Sequence, residues 1–433
     1  MTPARTLLAG AALALLLALS ACGGSGDDDL PGPRAVGRCS WSYFGDPRSV
    51  AFGSHVVTGC IGIDGRSLVE DYDTDTGERR LDRVFPTLER DDHNNPSVIV
   101  FKGRLYAFSA PHSGYVFPAA RDSEVRYRSR PADGGNWGPI ASVPLGEGCG
   151  LGYTYPNLVE AGSRLYLFVR GPCWEPYFTW TEDGRDWAPP QTLVTSPPGR
   201  FGELQKRVRP YAKYAEGPGE SVVAALSDGH PASYHTSLYY VRIEGDALYG
   251  GDGRRLGTFA DLPLRFSDLD RVDPYTPGRG RSWPMDVAVG ADGAPVIVYT
   301  TLKGREDTFR YARYEDGRWR SHRISGAGRT LFSYHNSGAS LDHADPDRLV
   351  LSRSVGAHNE VEVFRTPDRG RTWRVTEVTS SSKGFNIRPV IPRGYRSDDG
   401  HTMTLFVSGE ARDYRDFDTS VEMRTVPLPP GPG

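Results

Sequence analysis

The fold is indicated by one short stretch, Thr366-Pro367-Asp368-Arg369-Gly370-Arg371-Thr372-Trp373, which recurs in weaker form along the chain. Its residues suit a tight hairpin turn, because Asp accepts hydrogen bonds from the turn amides, Gly takes a positive φ and Trp packs under the loop. The weaker copies are residues 132–137, 181–187 and 315–319. Each copy follows a strand-like run, so the four together predict an array of antiparallel sheets.

A second repeat, in which a tight turn joins two strands, predicts the number of sheets. Its copies lie roughly 50 to 70 residues apart, which is the spacing of propeller blades. The copies are residues 41–62, 96–110, 157–169, 211–226, 285–301, 340–352 and 388–407. Because each is followed by a further strand pair, we predict an all-β fold, a seven-bladed β-propeller of four-stranded antiparallel blades. The first copy is the least regular, so six or eight blades are the alternatives.

The N-terminus has the features of a bacterial export signal. Arg5 forms a short basic region, and the apolar run over residues 7–19 is too short for a stable membrane span. The run ends in Leu19-Ser20-Ala21-Cys22, which resembles a lipobox. We therefore predict a lipoprotein signal peptide over residues 1–21, lipidation at Cys22, a flexible tether over residues 22–36 and the propeller over residues 37–433. An ordinary secretory signal with a chance Cys is the alternative.

The same features predict where the mature protein lies and which partners it contacts. We expect a monomeric, membrane-anchored lipoprotein, facing the periplasm or the cell surface, which touches the membrane only through its lipid. The formal net charge is −3, so the chain lacks the basic character of a nucleic-acid-binding domain. A polyanionic substrate would instead need a local cluster of Arg residues.

The cysteines indicate two disulfides. Besides Cys22 there are four of them, and an even number in an exported protein suggests complete pairing. Three pairings are possible. We favour Cys39–Cys60, which brackets the first hairpin, and Cys149–Cys173, which lies at one end of another.

Hairpin geometry predicts where a functional site would lie. The residue before the first strand of a hairpin and the residue after its second strand lie at the same end. His93 and His112 stand in these positions in one blade, and Tyr155 and Arg170 do so in the next. Because innermost strands converge on the axis of a propeller, the four side chains should meet at one mouth of the channel. Further rim candidates are Arg209, Tyr211, His230, Trp283, His335 and Arg388.

Two His, one Tyr and one Arg suit β-elimination from a uronic acid. An Arg that pairs with the carboxylate stabilises the enolate-like anion that forms when the C5 proton leaves. A neutral His or an ionised Tyr can take that proton, and a second group protonates the oxygen leaving C4. No metal or other cofactor is required for this chemistry. Glycoside hydrolysis would need two carboxylates, for which Asp91 and Asp92 are the candidates.

Several motifs resemble one known group of propellers. They are residues 91–96 (Asp-Asp-His-Asn-Asn-Pro), 153–157, 209–214, 228–231, 341–346 and 386–390, and the repeated turn resembles the Asp-box of sialidase-type propellers. The group is the BNR-repeat family, which includes seven-bladed ulvan lyases. The resemblance implies that His93 or Tyr155 acts as base and acid, Arg170 neutralises a uronate and His112 assists. It also implies that Tyr211 lines the sugar site. Tyr153 is the alternative to Tyr155 for the role of base or acid.

We therefore expect a polysaccharide lyase that cleaves a uronate-containing, ulvan-like acidic polysaccharide, with or without sulfate esters. Two other classes stay open. A sialidase-like hydrolase would use Arg170, Arg209 and Arg388 as a carboxylate-binding triad, although no Tyr/Glu nucleophile pair is evident. A non-catalytic glycan-binding surface lipoprotein would share the same fold. Tyr153, Arg209, Tyr211, His335 and Arg388 are the predicted substrate-binding residues, and His230 with His235 could hold a structural metal ion.

Overall fold

Antiparallel strands run through nearly all of the chain that the computed structural model describes. The described residues are 34–87, 89–112, 124–146, 152–196, 208–304, 307–328, 337–397 and 400–428. Their strands form seven antiparallel sheets, which succeed one another as the blades of a ring. The prediction of a seven-bladed β-propeller is confirmed, and the blades are numbered one to seven along the chain.

Each blade begins with its innermost strand and continues outward. Blade one contains Cys39–Ser40, Ser49–Phe52, His55–Gly62, Ser67–Asp73 and Arg79–Phe85. Blade two contains Ser97–Phe101, Arg104–Ser109, Arg126–Pro131 and Ala141–Ser142. Blade three contains Thr154–Ala161, Arg164–Arg170, Pro176–Thr181 and Gln191–Thr192. Blade four contains Tyr211–Glu216, Ser221–Ser227, Leu238–Glu244 and Asp270–Asp273, with the added strands Ala247–Tyr249 and Arg255–Thr258.

The remaining blades follow the same plan. Blade five contains Arg281–Val289, Pro295–Leu302, Asp307–Glu315 and Arg318–Gly328. Blade six contains Ala339–Leu341, Arg348–Val355, His358–Arg365 and Arg374–Glu377. Blade seven contains Phe385–Val390, His401–Ala411, Phe417–Pro427 and Arg34–Gly37. A parallel pair outside the blades joins Val194–Thr195 to Leu264–Arg265, and short 3-10 helices cover Asp92–Asn94, Pro172–Trp174, Phe259–Asp261 and Phe266–Asp268.

The ring is closed by strands from both ends of the described chain. Arg34–Gly37 pairs antiparallel with Phe417–Pro427, with Arg34 opposite Met423, and becomes the outer strand of blade seven. A propeller closed in this way keeps only short sheet edges, at the outer strands of its blades. The propeller therefore includes Arg34–Gly37, although residues 34–36 were predicted to belong to the flexible tether.

The repeated Asp turn joins the third and fourth strands of a blade. In blade six the carboxylate of Asp368 accepts a hydrogen bond from the amide of Thr372 (2.7 Å), Gly370 has a φ of 92°, and the ring of Trp373 packs against Tyr311 of blade five. In blade three Asp183 similarly accepts from the amide of Asp186 (2.8 Å). The turn is therefore structural, as its chemistry predicts.

Blades pack face to face through aliphatic and aromatic side chains. One interface joins blades three and four, where the rings of Phe168 and Tyr214 stack with centroids 4.0 Å apart. Val222, Val241 and Leu248 are fully buried in the same cluster. Burying one such side chain stabilises the fold by roughly 1.5–3 kcal/mol.

Residues 41–48, which we call the plug, lie across the central channel. The main chain of the plug is held by Asn157, whose amide donates to the carbonyl of Phe44 (2.7 Å), and by Lys213, whose ammonium contacts the carbonyl of Tyr43 and the carboxylate of Asp46. The ring of Phe44 lies 4.5 Å from that of Tyr211. One mouth of the channel is thus sealed by aromatic side chains. A cavity of about 540 Å³ opens at the other end, lined by Val50, Ile99, Leu158, Val289 and Arg393 among others.

The disulfide prediction is confirmed in its first half. Cys39 and Cys60 are bonded, with their Cα atoms 5.8 Å apart, and tie the start of the plug to blade one. Cys173 is also disulfide-bonded, but Cys149, its predicted partner, lies outside the described residues. The predicted signal peptide and Cys22 lie outside them as well. Within the described ranges, no helix is long and apolar enough to span a membrane.

Candidate active site at the plugged mouth

Two histidines share one buried carboxylate at the start of blade two. Asp91 caps the short helix Asp92–Asn94 by accepting a hydrogen bond from the amide of His93 (3.0 Å). Its Oδ1 lies 2.9 Å from Nδ1 of His93, and its Oδ2 lies 2.9 Å from Nδ1 of His112. An ionised carboxylate only accepts, so both Nδ1 atoms carry hydrogen. The Nε2 atom of each ring is therefore the one that can exchange protons with a ligand.

We call His93 and His112 the His pair. Their rings stack with centroids 4.0 Å apart and planes 9° from parallel, so they cannot both be charged at low cost. Burial opposes the charge on His93, but the carboxylates of Asp92 and Asp91 outweigh it and raise its pKa to about 9. Burial and the charge of His93 lower the pKa of His112 to about 4. At neutral pH the pair combines an imidazolium with a neutral imidazole.

Tyr155 and Arg170 of blade three adjoin the His pair. The ring of Tyr155 lies 5.7 Å from each imidazole, and the guanidinium of Arg170 lies 4.5 Å from the centre of that ring. Arg170 donates to Oγ1 of Thr154 (3.1 Å) and to the hydroxyl of Tyr211 (3.2 Å). Among the described residues, no carboxylate forms an ion pair with Arg170. This arginine is thus a buried cation held in place by neutral partners, which suits the binding of an anionic ligand.

Burial also determines the state of Tyr155. It raises the pKa of the phenol well above its ordinary value, although Arg170 partly opposes the shift. A phenol of this kind stays protonated at neutral pH and can donate a hydrogen bond. The expectation that Tyr155 could serve as an ionised base is therefore not supported by its surroundings.

Three residues at this mouth share an unfavourable, left-handed backbone conformation. Tyr155 and Arg388 lie in the innermost strands of blades three and seven, and Arg209 lies two residues before that of blade four, with φ values of 60°, 55° and 49°. Each stands before a proline, where residues usually avoid such conformations. A left-handed residue other than Gly costs on the order of 1–3 kcal/mol. The same unfavourable conformation thus recurs before a proline in three blades at this end of the channel.

Arg388 lies beneath the mouth. Its side chain is 1% exposed and contacts the carboxylate of Asp92 and the carbonyl of Trp41. The indole of Trp41 donates in return to the carbonyl of Arg388 (2.9 Å). This burial leaves no surface for a sugar, so the structure places Arg388 as a support for Asp92 and the plug, in contrast to its predicted role in substrate binding.

The other predicted residues are divided between rim and core. Tyr211 contacts Arg170, and Arg209 places its guanidinium 5.0 Å from the ring centre of Trp174, so both belong to the mouth. Tyr153 donates its hydroxyl to the carbonyls of Leu145 (2.8 Å) and Gly146 (2.9 Å), which makes it a packing residue of blade three. His335 lies outside the described residues.

Among the described residues, His230 and His235 do not belong to a group of three or more side chains that could hold a metal ion. Nδ1 of His230 accepts a hydrogen bond from the amide of Ala232 (3.1 Å), while the ring of His235 stacks on Tyr275 at 4.2 Å. Within the described part of the chain, the group of side chains that could hold a metal ion is instead Asp91, His93 and His112, whose ligand atoms lie within 4.8 Å of one another.

Two residues that the sequence did not single out also adjoin the His pair. Tyr414 and Arg415 lie in the turn between the second and third strands of blade seven. The ring of Tyr414 meets both imidazoles edge-on, at 5.1 Å from His93 and 5.5 Å from His112. Hairpin reasoning had considered only the ends of the innermost hairpins. A Tyr-Arg dipeptide in a polar turn could have been found only by asking which turns reach the same mouth.

The sequence matches a known family. The profile of a BNR repeat-containing family covers residues 58–327, which is more than half of the chain, so the protein belongs to that family. No curated protein matches the sequence.

Solved structures with a similar fold include polysaccharide lyases. An ulvan lyase of family PL25 is 14% identical and superimposes with a TM-score of 0.66, over 92% of this chain and 95% of that one. A second PL25 ulvan lyase structure, bound to -[GlcA(1-4)Rha3S]-, is also 14% identical, with the same coverage and a TM-score of 0.65. The polysaccharide lyase Uly1 is 13% identical, with a TM-score of 0.57 over 90% of this chain and 92% of that one. At such identity the likeness shows the shared fold.

Proposed function

We propose that this protein is a polysaccharide lyase that cleaves a uronate-containing polysaccharide by β-elimination. The observation that carries the proposal is the Asp91-bound His pair beside Arg170. It combines a neutral imidazole, an imidazolium and an arginine without a carboxylate partner among the described residues. The fold shared with ulvan lyases supports the same reaction class.

The reaction would begin at the uronate carboxylate. Arg170 would pair with that group and stabilise the negative charge that develops as the C5 proton leaves. Nε2 of His112 would accept the proton, because hydrogen on Nδ1 is already donated to Asp91. This assigns His112 the role of base, whereas the sequence suggested only an assisting role.

The electron pair of the C5–H bond would then form a C4=C5 double bond as the C4–O bond breaks. His93 would donate the proton that the leaving oxygen needs, since it is the charged member of the pair. Tyr155 would hold the sugar ring and donate a hydrogen bond from its phenol. The products would be one chain with an unsaturated uronate end and one with a free hydroxyl.

A glycoside hydrolase at this mouth is less favourable on chemical grounds. Asp91 is occupied by both imidazoles and Asp92 by Arg388 and His93, so neither is an uncommitted acid or base. The buried position of Arg388 also argues against a sialidase-like triad of arginines. A non-catalytic glycan-binding role is the competing possibility that the following experiment addresses.

The proposal is tested by incubating the chain from about Gly24 with a panel of uronate polysaccharides, ulvan among them, and recording ultraviolet absorbance. A lyase creates a conjugated double bond that absorbs, and a hydrolase does not. The absorbance should rise with the wild type, fail to rise with His112→Ala and Arg170→Ala, and rise normally with the matched control His235→Ala. Binding of these glycans without any product would favour the glycan-binding role.

We further propose that the mature protein is a monomeric lipoprotein anchored through Cys22, facing the periplasm or the cell surface. The support is the lipobox-like sequence at residues 19–22. Detergent phase partitioning of cell extracts tests it. The wild type should enter the detergent phase and Cys22→Ala should not, and partitioning of both into water would contradict the anchor.

A further inference from the structure

The turn over residues 412–416 of blade seven brings a second aromatic–cation pair to the site. The turn is ordered by its own side chains, since the carboxylate of Asp413 accepts hydrogen bonds from the amides of Arg415 (2.7 Å) and Asp416 (2.8 Å). It is fixed to the site because the amide of Asp92 donates to the carbonyl of Tyr414 (2.9 Å). Tyr414 and Arg415 thus have defined positions relative to the His pair.

These two residues approach the His pair from the side opposite to Arg170. The His pair belongs to blade two. Tyr155 and Arg170 come from blade three, whereas blade seven adjoins blade one in the closed ring and therefore lies on the other side of blade two. Tyr155 and Tyr414 each contact both imidazoles, with ring centroids 5.1 to 5.7 Å apart.

Like Arg170, Arg415 packs its guanidinium over a tyrosine ring, but its side chain is more exposed to solvent. Its guanidinium lies 5.2 Å from the ring centre of Tyr414, and its side chain is 39% exposed. Nε lies 3.4 Å from Oδ2 of Asp91, and one terminal nitrogen lies 3.8 Å from Glu89. A guanidinium has five N–H donors, and the loose ion pair with Glu89 leaves donors that can turn toward a ligand.

We propose that Tyr414 and Arg415 form a subsite for an anionic group on the sugar across the scissile bond from the uronate. This inference rests on the proposed lyase function. If Arg170 binds the uronate and the His pair acts on the bond between the two sugars, the neighbouring sugar lies against Tyr414. A planar guanidinium recognises a sulfate ester or a second carboxylate in the same way, so both groups belong to the proposed class.

The inference is tested by binding, which does not require cleavage. Affinity electrophoresis would compare His112→Ala with His112→Ala/Arg415→Gln in gels containing sulfated ulvan, the same polymer after desulfation, or the polymer after carboxyl reduction. Arg412→Gln in the same background is the matched control, since Arg412 occupies the same turn and its side chain is 85% exposed.

The expected result is that Arg415→Gln weakens binding of untreated ulvan about tenfold, which is the loss of one charge-assisted contact. The effect should vanish when the anion that Arg415 recognises is removed. Loss of the effect on desulfation identifies a sulfate. Loss on carboxyl reduction identifies a carboxylate when the His112→Ala background still binds the reduced polymer, since reduction also removes the uronate carboxylate assigned to Arg170. Arg412→Gln should change nothing.

Equal weakening on all three polymers, or no weakening on any, would overturn the subsite, since a merely structural role through Asp91 cannot discriminate between polymers. Failure of the lyase proposal looks different, because the wild type would then give no ultraviolet product whatever Arg415 does. An Arg415 effect that depends on one anionic group, seen without cleavage, would keep the subsite as part of a glycan-binding site.

Discussion

Two Tyr–Arg pairs flank the His pair, and they differ chiefly in burial. Tyr155 and Arg170 lie on the innermost hairpin of blade three, with 4% and 8% of their surface exposed. Tyr414 and Arg415 lie on an outer turn of blade seven and are half-exposed. The contact chemistry is the same, since each guanidinium packs over the ring of its Tyr.

The difference in burial indicates that the two Tyr–Arg pairs have different roles. A buried cation held by neutral partners keeps its field in a region of low dielectric, where it acts strongly on a developing charge. An exposed cation that shares two carboxylates is screened, and it can contribute selectivity more than rate. We therefore expect the blade-three pair to set the rate and the blade-seven pair to tune the choice of substrate.

The largest expected effect separates the two arginines. Arg170→Ala should lower kcat/KM by roughly 10²–10³-fold, because the developing carboxylate charge loses its preorganised partner. Arg415→Ala should lower it by no more than about tenfold. Initial rates of ultraviolet product formation measure both, with the exposed Arg185→Ala of blade three as control. Equal losses in kcat/KM for the two variants would contradict the different roles assigned to Arg170 and Arg415.

The pH profile tests whether the two imidazoles carry different charges. His112 must be neutral, so the rate should fall about tenfold per unit as the pH drops below about 4, where His112 becomes protonated. His93 must be protonated, so the rate should fall again as the pH rises above about 9. His93→Gln should leave a slower enzyme without the alkaline limb. A single limb near the ordinary pKa of histidine would contradict the unequal pair.

Stability should distinguish the two tyrosines as clearly as activity distinguishes the arginines. Tyr155→Ala empties a buried aromatic position, and we expect a loss of about 3–5 kcal/mol in the free energy of unfolding. Tyr414→Ala affects a partly exposed ring and should cost about 1 kcal/mol or less. Urea unfolding followed by tryptophan fluorescence gives both values. If Tyr414→Ala were the more destabilising, the outer turn would be a structural support.

Metal removal has the smallest expected effect. The Nδ1 atoms of both imidazoles lie at hydrogen-bond distance from Asp91, so dialysis against a chelator should change the rate by less than about twofold. Rates before and after dialysis, with apo-enzyme checked by elemental analysis, measure this. Loss of activity restored by one divalent cation would assign Asp91, His93 and His112 to a metal centre.

Much of the architecture could be predicted because its causes are local. The Asp turns, the tight Gly turns and the alternation of strands each depend on residues close in sequence, and together they predict seven blades. Local hairpin geometry also predicted that His93, His112, Tyr155 and Arg170 would meet. It did so because the residues flanking a hairpin must lie at one end, whatever the remainder of the chain does.

Contacts between distant segments could not be predicted in this way. The plug contains no recognisable motif, yet Phe44 contacts Tyr155 and Tyr211 across the channel. Asp91 was considered as a hydrolytic acid, although the structure uses it to hold two imidazoles. Arg388 was expected on the rim, and the pairing of its side chain with Asp92, 296 residues away, removes it from the surface.

The sequence by itself determined the class of fold and the meeting of His93, His112, Tyr155 and Arg170 at one mouth, because backbone turns and strand direction depend on near neighbours. Tertiary structure alone decided which of those side chains remain accessible and which carries a charge. Burial and the field of neighbouring charges arise only when blades one, two, three and seven close around the plug, and they make His112 neutral, His93 charged and Arg388 inaccessible.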